Sequence, residues 1–252
     1  MKKVFAVYKK VGETPLETLN RVKESFPYLK EEKLSYAGRL DPLAQGVMVV
    51  LVGDANKERD KYLNLNKTYY FDVIFEVESD SYDPLGIVKE GPSLTSDNIN
   101  NVLRDMTYNW RGEMKQKYPP FSSKTVDGKP LFEWAKKGIE VERPYLVINI
   151  NNFVFLGSLY LPLSKVVKNA MEKINLVKGD FRQGEVLDSW MSFEKKFKKD
   201  LVYLARFKID VSSGTYVRSL AKNMGLYCNT SALAFHIFRT KVGYFSLKDT
   251  LM

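Results

Sequence analysis

The stretch Tyr203-Leu204-Ala205-Arg206-Phe207-Lys208-Ile209-Asp210-Val211 decides the fold. Tyr203, Ala205, Phe207, Ile209 and Val211 alternate with Arg206, Lys208 and Asp210, the two-residue period of a strand with one buried face. Ser212-Ser213-Gly214-Thr215-Tyr216-Val217-Arg218 follows as a strand-to-helix junction, and the helix after Gly214 buries Val217, Leu220, Ala221 and Met224. Working outward, Tyr69, Phe71, Val73, Phe75 and Val77 alternate in the same way, and Asp83-Pro84-Leu85-Gly86 turns that strand back. Val4–Tyr8 and Val47–Val52 read as further strands, and a last one runs from Ala234 to Thr240. Thr14, Pro15 and Glu17 form a capping box opening a helix that carries Leu16, Leu19, Val22 and Phe26. Thr95 is expected to cap a helix bearing Ile99, Val102, Leu103 and Met106, and Gly138 to close a short helix over Leu131 to Lys137. Long alternating strands with scattered helices predict an α+β fold on a mixed, mostly antiparallel sheet. No repeat or low-complexity linker divides the chain, so one domain over residues 1–252 is expected. Leu156 to Asp200, Lys-rich and weakly periodic, reads as an insertion between two strands.

The chain has 252 residues, 39 Lys+Arg and 30 Asp+Glu, hence a net charge of +9. With 44% apolar and 27% charged residues it is not collagen-like, mucin-like or wholly disordered. Its single cysteine, Cys228, forms no internal disulfide, which fits a reducing cytoplasm. Cys228 and the single histidine, His236, are too few for a Cys/His zinc site, so chemistry falls to carboxylates, Tyr, Lys and Arg. The longest apolar run, Val47 to Val52, is far short of a bilayer span. Met1-Lys2-Lys3-Val4-Phe5 becomes amphipathic too quickly for a signal peptide. Positive charge together with 13% aromatic residues points to a polyanion, with nucleic acid ahead of membrane.

Three residues stand out chemically, each with a structural reading beside the functional one. Asp41 sits between Gly38 and Gly46 and before Pro42, in a loop entering a buried strand. It is a nucleophile or general base, or else the partner of a loop hydrogen bond. Arg218, in the first turn of an apolar-striped helix, is either a buried guanidinium needing a carboxylate or an exposed helix arginine. Tyr69 is a core aromatic or a base-stacking face, and Phe238 carries the same pair of readings.

Taken in order, these segments resemble the TruB-type tRNA pseudouridine synthases. Ala37-Gly38-Arg39-Leu40-Asp41-Pro42-Leu43-Ala44-Gln45-Gly46 is similar to the family's G-H-x-G-x-L-D-P-x-A-x-G. Lys9-Lys10-Val11-Gly12-Glu13-Thr14 resembles K-P-x-G-x-T, Lys67-Thr68-Tyr69 resembles K-x-Y, and Ser79-Asp80-Ser81-Tyr82-Asp83 with Gly86 resembles T-D-T-x-D-x-x-G. Gln116 to Pro144, Ser213–Arg218 and Arg239–Phe245 continue the likeness, which covers most of the chain outside 156–200. Tyr36 stands where the family has histidine, and Lys10 where it has proline. Few residues follow Phe245, so the C-terminal RNA-binding PUA domain of many relatives is expected to be missing.

The resemblance implies a pseudouridine-synthase fold and isomerisation of uridine to pseudouridine at position 55, in the tRNA T loop. The target nucleotide is flipped out, its glycosidic bond is cleaved with the help of an aspartate, and the base reattaches through carbon. It assigns catalysis to Asp41, Tyr69 and Arg218, with Arg218 orienting Asp41. It assigns substrate contact to Lys9, Tyr36, Tyr216 and Phe238. It implies no metal or organic cofactor, a tRNA T-arm partner, no membrane, and a monomer with no obligatory protein partner. Lys165, Lys168, Lys173, Lys178 and the Lys195–Lys199 cluster are candidates for replacement RNA contacts. A T-arm chaperone without catalysis, and a synthase acting on another RNA, are the alternatives.

Overall fold

The computed structural model describes residues 3–95 and 98–251; Met1 and Lys2, used in the N-terminal reading, lie outside them. The main sheet contains β1 (Lys3–Lys9), β2 (Leu34–Ala37), β3 (Gln45–Val52), β4 (Lys67–Phe75), β5 (Gly112–Lys117), β6 (Tyr145–Pro162), β7 (Leu201–Val211), β8 (Ala232–Val242), β9 (Phe245–Ser246) and β10 (Thr250–Leu251). Their order is β10-β1-β3-β8-β4-β7-β6-β5, with β2 on β3 and β9 on β8. The β1–β10 and β3–β8 pairs are parallel, and the rest are antiparallel. The seven helices of the described residues are α1 (Pro15–Ser25), α2 (Arg59–Leu63), α3 (Ile99–Asn109), α4 (Leu131–Lys136), α5 (Leu163–Leu176), α6 (Gln183–Lys196) and α7 (Val217–Tyr227). This is the α+β fold that the alternation predicts.

Strand alternation divides the core by face. Phe71, Val73, Phe75, Tyr203, Ala205, Phe207 and Ile209 pack with Leu103 and Met106 of α3 and with Leu220 and Met224 of α7. Phe71 stacks on Phe207 with ring centroids 5.4 Å apart; burying each such ring contributes roughly 1.5–3 kcal/mol. The intervening Ile74, Val202 and Leu204 pack with Leu233 and Phe235 under α5 and α6.

Local signals read well at α1, where the Thr14 hydroxyl accepts from Glu17 N–H and the Glu17 carboxylate accepts from Thr14 N–H. Thr95 does not cap α3. Gly91 N–H and Leu94 N–H are tied to Glu76, so the helix begins only at Ile99, with Asn98 at the cap position. The segment read as starting at Leu156 begins inside β6, which pairs with β7 through Pro162, so the chain leaves the sheet at Leu163. Beyond that, α5 has a regular apolar stripe of Leu163, Val166, Val167, Ala170 and Ile174. Lys173 belongs to this stripe rather than to a solvent face. It is 7% exposed, and its Nζ lies 3.4 Å from Phe235 O and 3.3 Å from His236 Nδ1. It is therefore not among the lysines open to RNA.

Candidate active site

Asp41 lies on the turn between β2 and β3, where Ala44 N–H donates to Asp41 O at 3.0 Å. The turn is held from beneath. Gly12 N–H reaches Pro42 O at 2.9 Å, and Lys9 Nζ donates to Lys10 O, Pro42 O and Ala44 O at 3.0, 3.1 and 2.6 Å. Lys9 is fully buried, and burial pushes its ammonium down to about 8 against the opposing pull of Asp41. Its position corrects the substrate-contact expectation: Lys9 does not line the cavity but ties down the loop that carries Asp41. The turn leads into Gly46 at φ +115°, where an added Cβ would stand 2.1 Å from Arg239 O. Only glycine allows β3 and β8 to approach this closely.

Arg218 is the second residue of α7 and is 3% exposed. Its Nε and Nη2 donate to the two Asp41 oxygens at 2.7 and 2.8 Å. Nη1 donates to Ser81 O at 2.9 Å, and Nη2 also to Phe121 O at 3.1 Å. Asp83, itself buried, lies 3.7 Å from Nε. A planar fork suits this bidentate role as a lysine would not. Burial opposes the guanidinium charge, but Asp41 and then Asp83 outweigh it and hold Arg218 above its ordinary pKa. For Asp83 burial wins, pushing the carboxyl up to about 6 in spite of Arg218, with Asp41 adding to the rise. Its oxygen Oδ1 accepts from Ser81 Oγ and Leu85 N–H.

These groups open onto a cavity of about 770 Å³ whose walls include Tyr36, Asp41, Tyr69, Phe121, Tyr216 and Arg218. Tyr69, 6% exposed, comes from β4. Tyr216 sits at the N-cap of α7, clamped by the fully buried Gln116: Tyr216 N–H donates to Gln116 Oε1 at 2.8 Å, and Gln116 Nε2 donates to Tyr216 O at 3.0 Å. Phe238 does not join them. Alternation along β8 turns Ile237 and Arg239 toward the cavity, while Phe238 lies on the other face, edge-on to Tyr8 at 6.4 Å. The wall expected from Phe238 is supplied by Ile237. Among the described residues, no group of three or more His, Cys, Asp or Glu is arranged to hold a metal ion, and no helix is long and apolar enough to cross a membrane.

Residues 27–162 match the family model described as "TruB family pseudouridylate synthase (N terminal domain)". The chain is 30% identical over 242 residues to tRNA pseudouridine synthase B of Aquifex aeolicus, covering 95% of itself and 68% of that relative. It is 28% identical over 255 residues to the protein of the same name from Clostridium tetani, covering 71% of it. The chain belongs to the TruB family. Among solved structures, the Cbf5–Nop10–Gar1 complex contains a chain of the same fold, with TM-score 0.56 and 20% identity over 96% of this chain and 49% of that one.

The TruB-family cavity also uses residues that carried no role in the sequence reading. Asp83 and Arg239 lie inside quoted motifs, but their part depends on contacts far away in sequence, with Arg218 and Val47 respectively. Arg182 follows the turn after α5 in a left-handed conformation at φ +58°. It pairs with Asp80 at 2.9 Å and covers the Phe121 ring at 4.5 Å. No local signal marks it, because its partners come from two other segments.

Proposed function

We propose that this TruB-family chain isomerises uridine to pseudouridine at position 55 in the T loop of tRNA. The observation that carries the reading is the Asp41 carboxylate, gripped at both oxygens by buried Arg218 yet 32% exposed toward a cavity walled by Tyr69 and Tyr216. Flipping the nucleotide costs a few kcal/mol, recovered by stacking in the pocket. Tyr69 supplies the stacking face and Tyr36 and Tyr216 enclose the nucleoside. Asp41 then attacks the nucleoside or removes a sugar proton; both routes need a carboxylate oxygen facing the ribose, and Arg218 positions it. The C1′–N1 bond breaks, a C1′–C5 bond forms, the C5 proton leaves and N1 gains one. The net reaction consumes nothing, so no co-substrate is required. The chain acts as a monomer in the cytoplasm, on the T arm alone.

Asp41→Asn is expected to bind a T-arm stem-loop within a few fold of wild type while releasing no tritium from C5-labelled uridine. Robust release by that variant sinks the proposal. Pseudouridine mapping of tRNA and total RNA treated with wild type tests the substrate: modification confined to other RNAs would move the activity elsewhere.

A further inference from the structure

Charge is distributed unevenly around the cavity. On one side the cations of the wall each have a carboxylate: buried Arg218 has Asp41 and Asp83, half-buried Arg182 has Asp80, and exposed Lys136 has Asp180 at 2.8 Å. On the side around Gly38, four cations line the wall, Arg39, Arg59, Lys67 and Arg239, and among the described residues none has a carboxylate within ion-pair distance. Two of the four are deeply buried, Lys67 at 5% exposure and Arg239 at 1%. A Cβ built on Gly38 would lie 3.6 Å from Arg239 Nη1 and 3.6 Å from Lys67 Cε, so the two side chains flank the same glycine. Arg239 spends Nε, Nη1 and Nη2 on the carbonyls of Val47, Arg39 and Gly38 at 2.8, 3.2 and 3.0 Å. Lys67 Nζ donates to Leu63 O at 2.5 Å, which leaves most of an ammonium's three donors uncommitted. Burial, and then Arg239, push Lys67 down to about 8.

Two adjacent buried cations without a counter-ion are costly, and here they form the wall of a cavity rather than a closed core. We propose that Lys67 and Arg239, with Arg39 and Arg59 at the rim, form a phosphate subsite that takes a backbone phosphodiester adjoining the flipped uridine. The inference rests on the RNA-modifying reading above and adds to it the group that fixes the nucleotide in register. A phosphodiester carries the missing charge and acceptor oxygens for the free N–H groups. Its arrival places an anion between two like charges and halves their uncompensated charge, so the subsite rewards an RNA backbone over a neutral nucleoside.

The test is a chemical double-mutant cycle. A T-arm stem-loop is made with native linkages, and with a neutral methylphosphonate 5′ or, separately, 3′ of the target uridine. Each is bound to wild type and to Lys67→Met. One neutral linkage is expected to weaken wild-type binding roughly tenfold, Lys67→Met to weaken the native RNA by a similar factor, and the two together to cost little more than either alone. Arg39→Gln and Arg59→Gln, at more accessible positions, are each expected to flatten the slope of log affinity against log salt by about 0.7–0.9. Losses that multiply, at both linkages, overturn the proposal. So does a Lys67→Met that loses thermal stability but binds native and neutral RNA in the wild-type ratio, because Lys67 is then only a cap on the last carbonyl of α2. Lys67→Arg keeps the charge and is expected to restore binding, which separates the two roles. Inorganic phosphate that stabilises wild type but not Lys67→Met, with both neutral linkages silent, would assign the wall to a free anion and also overturn it. Binding is read independently of turnover, so a failure to form pseudouridine would show separately in the mapping experiment.

Discussion

Two buried arginines, Arg218 and Arg239, stand on the same cavity and do opposite work. Arg218 spends its fork on carboxylates and two carbonyls, holding Asp41 in one orientation. Arg239 touches no carboxylate among the described residues and spends its nitrogens on the carbonyls of Gly38, Arg39 and Val47. On the function proposed above, the first aims the reacting carboxylate, and the second shapes the backbone that carries it. The comparison teaches that a buried guanidinium in a site is read by its acceptors: a carboxylate partner marks a positioned acid group, carbonyl partners mark a braced backbone, and N–H groups left over remain for a ligand.

The largest effect should come from the first arginine. Arg218→Ala is expected to lower turnover by about a thousandfold or more, roughly 4 kcal/mol of barrier, with T-arm binding changed only a few fold. Arg218→Lys should recover little, since a point charge cannot hold both oxygens. Single-turnover rates set beside binding constants decide it, and equal losses in both would contradict an orienting role. Next comes the wall that Arg239 builds. Gly46→Ala places a methyl group against Arg239 O at positive φ and should cost about 3 kcal/mol of stability or more. Thermal melting should show a clear fall, and an unchanged melting temperature would mean the β3–β8 contact is not tight.

The smallest effect is pH-linked. The Asp83 carboxyl sits at about 6 in the fold and near the ordinary 3.8 when unfolded, so the folded state binds its proton more tightly. Its contribution to stability is therefore full below about 3.8 and is lost as pH rises through about 6. Asp83→Asn has no such loss. The melting temperature of Asp83→Asn relative to wild type should thus rise between pH 4 and pH 7, by roughly 5–10 °C. A flat difference across that window would place the Asp83 titration elsewhere.

How much of this was legible from sequence differs by kind of signal. The alternation of Tyr203–Val211 and the capping box at Thr14 are local, and both appear as read. The pairing of Asp41 with Arg218 spans 177 residues and was reachable only through family resemblance, since nothing local in either segment points to the other. Phe238 was misplaced by one position because which face of β8 meets the cavity depends on register, and the strand is irregular between Ala234 and His236 and between Arg239 and Lys241. Lys9 and Lys173 read in sequence as contacts to substrate and RNA, yet carbonyls from distant segments accept from both. Polar residues whose partners come from elsewhere in the fold are the ones that composition and periodicity misjudge.

The place of β8 in the sheet has a bearing on how the molecule is made. It lies between β3 and β4 yet is built from Ala232–Val242, later in the chain than any other long strand of the sheet. Until it arrives, β1 and β3 on one side and β4, β7, β6 and β5 on the other share no strand pairing. The loop that carries Asp41, Tyr69 and the Arg239 wall sit along that seam. Closing a sheet through such distant residues is slow, so the nascent chain should remain chemically inert until β8 docks. Catalytic competence then arrives in one step, and a chain cut short before Ala232 should show no partial activity at all.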